Sequence, residues 1–438
     1  MREIEKLLDF VREELKVLHE QGCDTWELER EAEQIKVESG RDALSRASKL
    51  CEEMAALRPS PDFPYREPND PEAIRAERPE GPRAIGAGIS DGALRDKTLG
   101  GWLGKAAGCM LGKPVEGWMR QQIVDLLEAA GEYPLRDYFP ANPPGEWGGA
   151  FSNPASPTLR GNITRSVRDD DTDYPIVGLR IMEAHAKDFE SADVARFWLS
   201  HLPYERTYTA ERAAYRNFVG DLWPPESAVH RNPYREWIGG QIRADTWGYA
   251  CPGRPQEAAA LAFKDASISH TRNGIYGAMW VAAAIAAAFV AQEPEQAIRI
   301  GLSEIPRGCR LAEAIEKVLA WREEDDSSEQ ATERVLEGFA QYHMVHTIPN
   351  AAIVAMALLW GERNFTRSIG LAVAAGLDTD CNGATVGSIM GVMIGAEAIP
   401  EHWRAPLNDR LESIVTGDSD VRISDLAQRT LKLQALRA

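Results

Sequence analysis

The stretch GIYGAMWVAAAIAAAFVAQ, residues 274–292, is mostly alanine broken by single large apolar residues. Alanine is the strongest helix former, and the β-branched residues here are too sparse to alternate as a strand requires. A second segment, PNAAIVAMALLWG (349–361), reads the same way. Apolar–polar alternation is rare elsewhere, so the chain from about residue 91 to 438 reads as one all-α domain. Upstream, residues 1–57 carry apolar positions at helical spacing (Ile4, Leu7, Leu8, Val11, Leu15, Leu18). A charged helix follows from about Thr25, so this region is predicted to be a helical hairpin extension that packs on the core or on a second subunit. Between the two lies RPSPDFPYREPNDPEAIRAERPEGP (58–82). Its prolines remove amide donors and disfavour helix before them, which predicts a linker or extended strap over 58–90.

Downstream, Gly383, Gly387, Gly391 and Gly395 recur every fourth residue in an apolar run. Such spacing serves membrane helix pairs as well as tight soluble packing. The run begins beside Asp378 and Asp380 and contains Glu397, which excludes a span and predicts close packing on a neighbouring helix.

The 438 residues carry a net charge of -18, which excludes a sequence-independent grip on nucleic acid or anionic lipid. Six scattered cysteines show no zinc or disulfide spacing, and the N-terminus lacks the apolar core of a signal peptide. A reducing, cytoplasmic setting is expected. Nothing in the composition bears on oligomeric state.

Chemistry concentrates in two acidic segments. SVRDDDTDYP (166–175) places four carboxylates within five positions. Capping of the following helix accounts for one or two of them. The surplus carboxylates would repel unless a cation neutralised them. A second cluster, GLDTDCNGATVGSIMG (376–391), again stands at a predicted helix start. Neither is an EF-hand: Ile389 and Arg180 stand where a bidentate glutamate is needed, and Tyr174 replaces the glycine of the first. Carboxylate and hydroxyl donors suit Mg²⁺ or Mn²⁺ better than zinc. His343 and His346 lack a third ligand and read as core or supporting residues. The glycine-punctuated LGGWLGKAAGCMLGKPVEG (99–117) is not a phosphate loop, because Ala106 and Pro114 follow its lysines. It ends on Glu116, either a salt-bridged surface residue or a catalytic carboxylate. The loop YFPANPPGEWGGAFSNPASPTLRGN (138–162) is a candidate wall or lid, or a solvated surface loop.

In order, GGWLGKAAGCMLGKPVEG, RDDDTDY, SISHTRNGIYGA (267–278), GLDTDCNGATVGSIMG and IPEHW (399–403) resemble the ADP-ribosylglycohydrolase family over about residues 95–410. TAERAAYRNF (209–218) and HRNPYREWIGGQIRAD (230–245) look like a bacterial branch of it. The resemblance implies an all-α fold with two divalent metal ions, Mg²⁺ or Mn²⁺, at the bottom of a cleft. It places metal ligands at Asp169, Asp170, Asp171, Thr172, Asp378 and Asp380, and catalytic carboxylates at Glu116 and Asp171. Substrate contacts would come from His270, Gly240, Gln241, Asn162 and Gly383. Three departures stand out: Asp169 replaces a hydroxyl ligand, Cys381 a threonine ligand and Cys109 an aspartate.

The activity so implied is metal-dependent hydrolysis at the anomeric carbon of ribose, in ADP-ribosylated side chains or ADP-ribose conjugates. The substrate is a small-molecule or protein-linked ribosyl group. Rival readings are a small riboside or nucleoside hydrolase with the same centre, and a non-catalytic ADP-ribose or nucleotide-binding protein. Arg165, Arg168, Arg243 and Arg272 are candidates to receive phosphates or to pair with the acidic ligands.

Overall fold

A computed structural model describes residues 2–36, 41–86, 88–324 and 327–435. Among them the only strands are Arg410–Glu412 (β1) and Asp420–Arg422 (β2), paired antiparallel, and helices make up the rest of the regular structure. The all-α reading holds.

The extension differs in detail from a hairpin. It comprises α1 (Arg2–Glu20), α2 (Trp26–Lys36) and α3 (Arg41–Ala56), so the predicted second helix is two helices, with residues 37–40 outside the described ones. Val11, Leu15, Ile35, Ala47 and Leu50 bury one another in a small core of their own. Polar ties fasten it to the main body: Glu14 pairs with Arg235 at 2.8 Å, and Gln21 Nε2 donates to Glu236 Oε1 at 2.7 Å. The proline-rich segment is a strap seated on the body. Glu67 is buried and receives both Arg310 (2.8 and 2.9 Å) and Asn273 (2.8 Å). It also contains a short helix, α4 (Pro71–Glu77), where the prolines had suggested only extended chain. Pro71 opens α4 and Asp70 caps it, so this proline starts a helix.

The centre of the main body is a helix pair. Helix α5 (Asp91–Gly112) runs antiparallel to a helix near the C-terminal end, Thr379–Ile394. A Cβ at Gly104 would stand 2.0 Å from the carbonyl of Gly387, one at Gly108 would stand 1.9 Å from that of Gly383, and one at Gly100 would stand 2.2 Å from that of Gly391. The four-residue glycine rows of the two helices therefore interlock backbone on backbone. This is the close packing that the glycine spacing predicts, and its partner is the other glycine-rich segment. At one end, Thr379 Oγ1 donates to the Gly112 carbonyl at 2.8 Å, so the end of α5 meets the beginning of the Thr379–Ile394 helix.

The other helices of the body include α6 (Arg120–Ala129), α7 (Asp170–His185), α8 (Asn273–Ala288), α9 (Ser328–Gly338), α10 (Thr347–Trp360) and α11 (Phe365–Ala374), and the Thr379–Ile394 helix of the pair is α12. Every residue of α8 and of α10 is buried, which accounts for their lack of a polar face. His346 caps α10 by accepting the Ile348 N–H at 3.1 Å, and His343 stacks on Trp237 with ring centres 4.2 Å apart. Both histidines are thus structural.

Candidate active site and metal centre

The acidic segments sit at the starts of α7 and α12. Asp169 is the N-cap of α7, its Oδ1 accepting the Asp171 N–H at 3.0 Å. Capping uses that one carboxylate, and Asp173 is taken by Arg168 (2.7 Å) and the Ile414 N–H (2.9 Å). Asp170 is half-buried and Asp171 buried. At the other start, Gly376 (φ 80°) and Leu377 (φ 63°) turn the chain through left-handed conformations. A Cβ on Gly376 would lie 2.8 Å from the Trp118 carbonyl, so the close approach and the positive φ both require glycine. Buried Asn350 on α10 then accepts from the Asp378 N–H (3.4 Å) and from Asn382 Nδ2 (2.8 Å), which fixes the start of α12.

Because α5 holds α12 at a backbone contact, these starts converge. Asp169, Asp171 and Asp380 each offer an oxygen within 4.8 Å of the others, and so do Asp378 and Asp380 with the Cys381 sulfur. Asp380 belongs to both groups, and its Oδ1 is buried with no hydrogen-bond partner. An orphaned buried carboxylate oxygen is costly, and a cation between the two groups would satisfy it. The oxygen-rich set fits a hard divalent metal. The Cys381 thiol does not improve that fit: it lies against Asp171 and Asp378, and burial with those charges pushes its pKa far up, keeping it protonated.

The electrostatics agree. Burial raises the Asp380 carboxyl well above the usual range, and Asp169 and Asp378 raise it further. Burial lifts Asp171 to about 7 against the opposing pull of Lys105. Asp378 and Asp170 are raised by burial as well. Two lysines, one in α5 and one just past its end, offset part of this charge. Lys113 contacts Asp169, while Lys105, 1 % exposed, reaches Asp171 at 3.4 Å, Asp245 at 2.7 Å and the Ile242 carbonyl at 3.2 Å. Sequence reasoning missed both. The signal was there: Lys105, Cys109 and Lys113 recur every four residues, each one position after a glycine of the interlocked row.

The ADP-ribosylglycohydrolase family model matches residues 90–437. The chain belongs to the ADP-ribosylglycohydrolase family. It is accordingly a hydrolase of glycosidic bonds. A solved structure named as an ADP-ribosylglycohydrolase-related protein complex is similar, with a TM-score of 0.47 and 19% identity over 79% of this chain and 100% of that one. No curated protein matches the chain. Among the described residues, no helix is long and apolar enough to cross a membrane.

The remaining residues singled out from the sequence divide sharply. Glu116 is exposed at the rim, just after the short turn that ends α5, and has no ion pair among the described residues. Desolvation and the charges of Asp378 and Asp169 raise its carboxyl. Trp118, two residues on, packs with Trp147 and Phe151 of the 138–162 loop, with ring centres 6.2 and 5.9 Å away. The loop is thus packed against the segment that carries Glu116. Thr172 donates its hydroxyl to the Asp169 carbonyl at 3.0 Å. Gln241 is fully buried, and neither of its amide atoms has a partner.

The other four expected substrate contacts are engaged in the fold. Asn162 braces the loop through the Pro154 (2.7 Å) and Ser156 (3.1 Å) carbonyls. Gly383 is part of the glycine row. Gly240 donates its N–H to His270 Nε2 at 3.1 Å, and His270 Nδ1 meets Ser269 Oγ at 2.9 Å. Burial holds that imidazole neutral, and it lines a cavity beneath the N-terminal helices with none of the clustered aspartates. The four candidate arginines are also spoken for: Arg165 by Glu412 (3.1 Å), Arg168 by Asp173, Arg243 by Asp265 and Glu211 (both 2.8 Å), and Arg272 by Glu67 (3.4 Å). None of these acids belongs to the metal cluster.

Proposed function

We propose that this enzyme hydrolyses the bond at the anomeric carbon of ribose in ADP-ribosylated side chains or ADP-ribose conjugates, with two Mg²⁺ or Mn²⁺ ions. The observation that carries the reading is the convergence of four buried carboxylates, Asp169, Asp171, Asp378 and Asp380, around an unpartnered Asp380 oxygen. Asp169, Asp171 and Asp380 would hold one ion, and Asp378 and Asp380 the other, with Asp170 and Thr172 at hand for either. Bound there, the ions supply Lewis acidity and make a water more acidic.

The protein's own groups do the rest. Lys105 and Lys113 hold Asp171 and Asp169 in place and remove part of the repulsion between them. Glu116, exposed to solvent and close enough to Asp378 and Asp169 to feel their charge, would be the group that exchanges a proton with the reacting bond. As positive charge develops on the ribose ring, the carboxylates around it stabilise that charge.

A second reading has one observation in its favour. With Arg165, Arg168, Arg243 and Arg272 all paired elsewhere, a compact riboside or nucleoside lacking the pyrophosphate is also a fitting substrate. One assay separates these readings: turnover of ADP-ribosyl-arginine, ADP-ribosyl-serine, O-acetyl-ADP-ribose and plain nucleosides, with Mg²⁺ or Mn²⁺ and with chelator. Metal-dependent release of ADP-ribose supports the first reading and names the linkage. Cleavage of nucleosides alone supports the second, and binding without any turnover identifies a sensor.

A further inference from the structure

A cavity of about 660 Å³ opens between α6, α9, α11 and the 133–136 segment, within the range of small-molecule sites. None of the clustered aspartates lines it. Its charge is opposite to that of the protein as a whole: Arg120, Arg136, Arg363 and Arg367 face it, against Glu329 as the one carboxylate of its described lining, in a chain of net charge -18. Four guanidinium groups lining one cavity make it favourable to an anion. We propose that this cavity binds a small molecule bearing a diphosphate group.

The guanidinium groups are available for it. Arg136 is exposed and has no hydrogen-bond or ion-pair partner among the described residues. Arg363 reaches Glu293 only at 3.6 Å, and Arg120 reaches Glu333 only at 3.8 Å, with both acids more than half exposed. Arg367 pairs with Glu362 at 2.8 Å, again a surface carboxylate. Exposed pairs of this kind are worth little, and a diphosphate accepting several guanidinium donors at once displaces them. The first turns of α9 and α11 also line the cavity, at Ser328 and at Phe365 and Thr366. Their backbone amides add positive potential on the same side.

The cavity's position adds a consequence. Arg120 Nη1 donates to the Ala374 carbonyl at 3.2 Å, and Gly376 bridges to Met119, so its wall adjoins the turn that delivers Asp378. A ligand held by Arg120 therefore lies directly behind that turn.

The test is titration calorimetry of inorganic pyrophosphate, and then ADP, into the full chain in EDTA, where no metal bridges phosphate to the aspartates. One equivalent of pyrophosphate should bind, and ADP should compete with it. Arg136→Ala, which removes no observed contact, and the pair Arg363→Ala with Arg367→Ala should each weaken binding at least tenfold. Asp380→Ala should leave it unchanged. The proposal is overturned if pyrophosphate does not bind, if ADP does not compete, if the arginine variants bind as before while melting normally, or if Asp380→Ala abolishes binding.

Discussion

The two acidic helix starts look alike in sequence and are neutralised in different ways. At α7, Asp171 has a lysine from α5, Asp169 the lysine that caps its end, and Asp173 has Arg168. At α12, Asp378 is positioned by a neutral asparagine, and Asp380 keeps one buried oxygen without a partner. One side of the centre carries its own counter-charge, while the other keeps a buried carboxylate oxygen unpartnered, where a cation would fit. Asp380 is where the two regimes meet, since it belongs to both oxygen groups.

The largest effect expected from this difference is at Asp380. Asp380→Ala should remove both metal equivalents in calorimetry and cost on the order of 10³-fold or more in turnover, because metal stabilisation of charge is worth several kcal/mol. Tight binding of two equivalents by that variant would break the comparison. Next is the contact that brings the starts together. Gly108→Ala drives a methyl into the Gly383 carbonyl, and a loss of roughly 1–3 kcal/mol in chemical denaturation is expected, together with weaker metal binding.

A smaller effect of opposite sign is expected at Lys113. Lys113→Met removes a cation beside Asp169, so the ions should bind about tenfold more tightly, a change of about 1.4 kcal/mol. Unchanged affinity would mean that the lysine does not compete with the metal. The smallest effect is a pH trend. Burial lifts Asp171 to about 7 from an ordinary 3.8, so the metal-free folded state binds more protons than the unfolded state between these values. Stability from this group therefore falls as pH rises through that window. Glu20, raised to about 7 by burial, acts in the same direction. Melting scans in EDTA should show a decline on the order of 2 °C that Asp171→Asn and saturating Mg²⁺ each reduce. An identical slope with and without metal would separate the trend from the centre.

Much of this was legible in the chain because it rests on local patterns. Alanine-rich runs read as buried helices, and α8 and α10 are buried throughout. The glycines at every fourth position demanded a close neighbour. The acidic segments read as helix starts with surplus charge, and Asp169 is a cap while its neighbours turn inward. Less legible were the residues whose surroundings depend on what lies across from them. His270 and Gly383 matched motif positions, yet one is locked between Ser269 and Gly240 and the other is pressed on α5. Lys105 and Lys113 were considered only as phosphate binders and lie against carboxylates. In the extension, charged residues continue past Lys36, and the one signal that divides α2 from α3, Ser39-Gly40, was passed over.

By itself, then, the sequence determined the helices, the residue types able to hold a cation and the need for two small-faced helices to meet, since each follows from propensity and spacing along one segment. Only the tertiary structure decided the pairings. The register of α5 on α12 joins residues some 280 positions apart, and whether a lysine, an arginine or a metal answers a given aspartate depends on which side chains that register brings within reach. Charge compensation depends on distance in space, and a segment carries no record of what will stand opposite it.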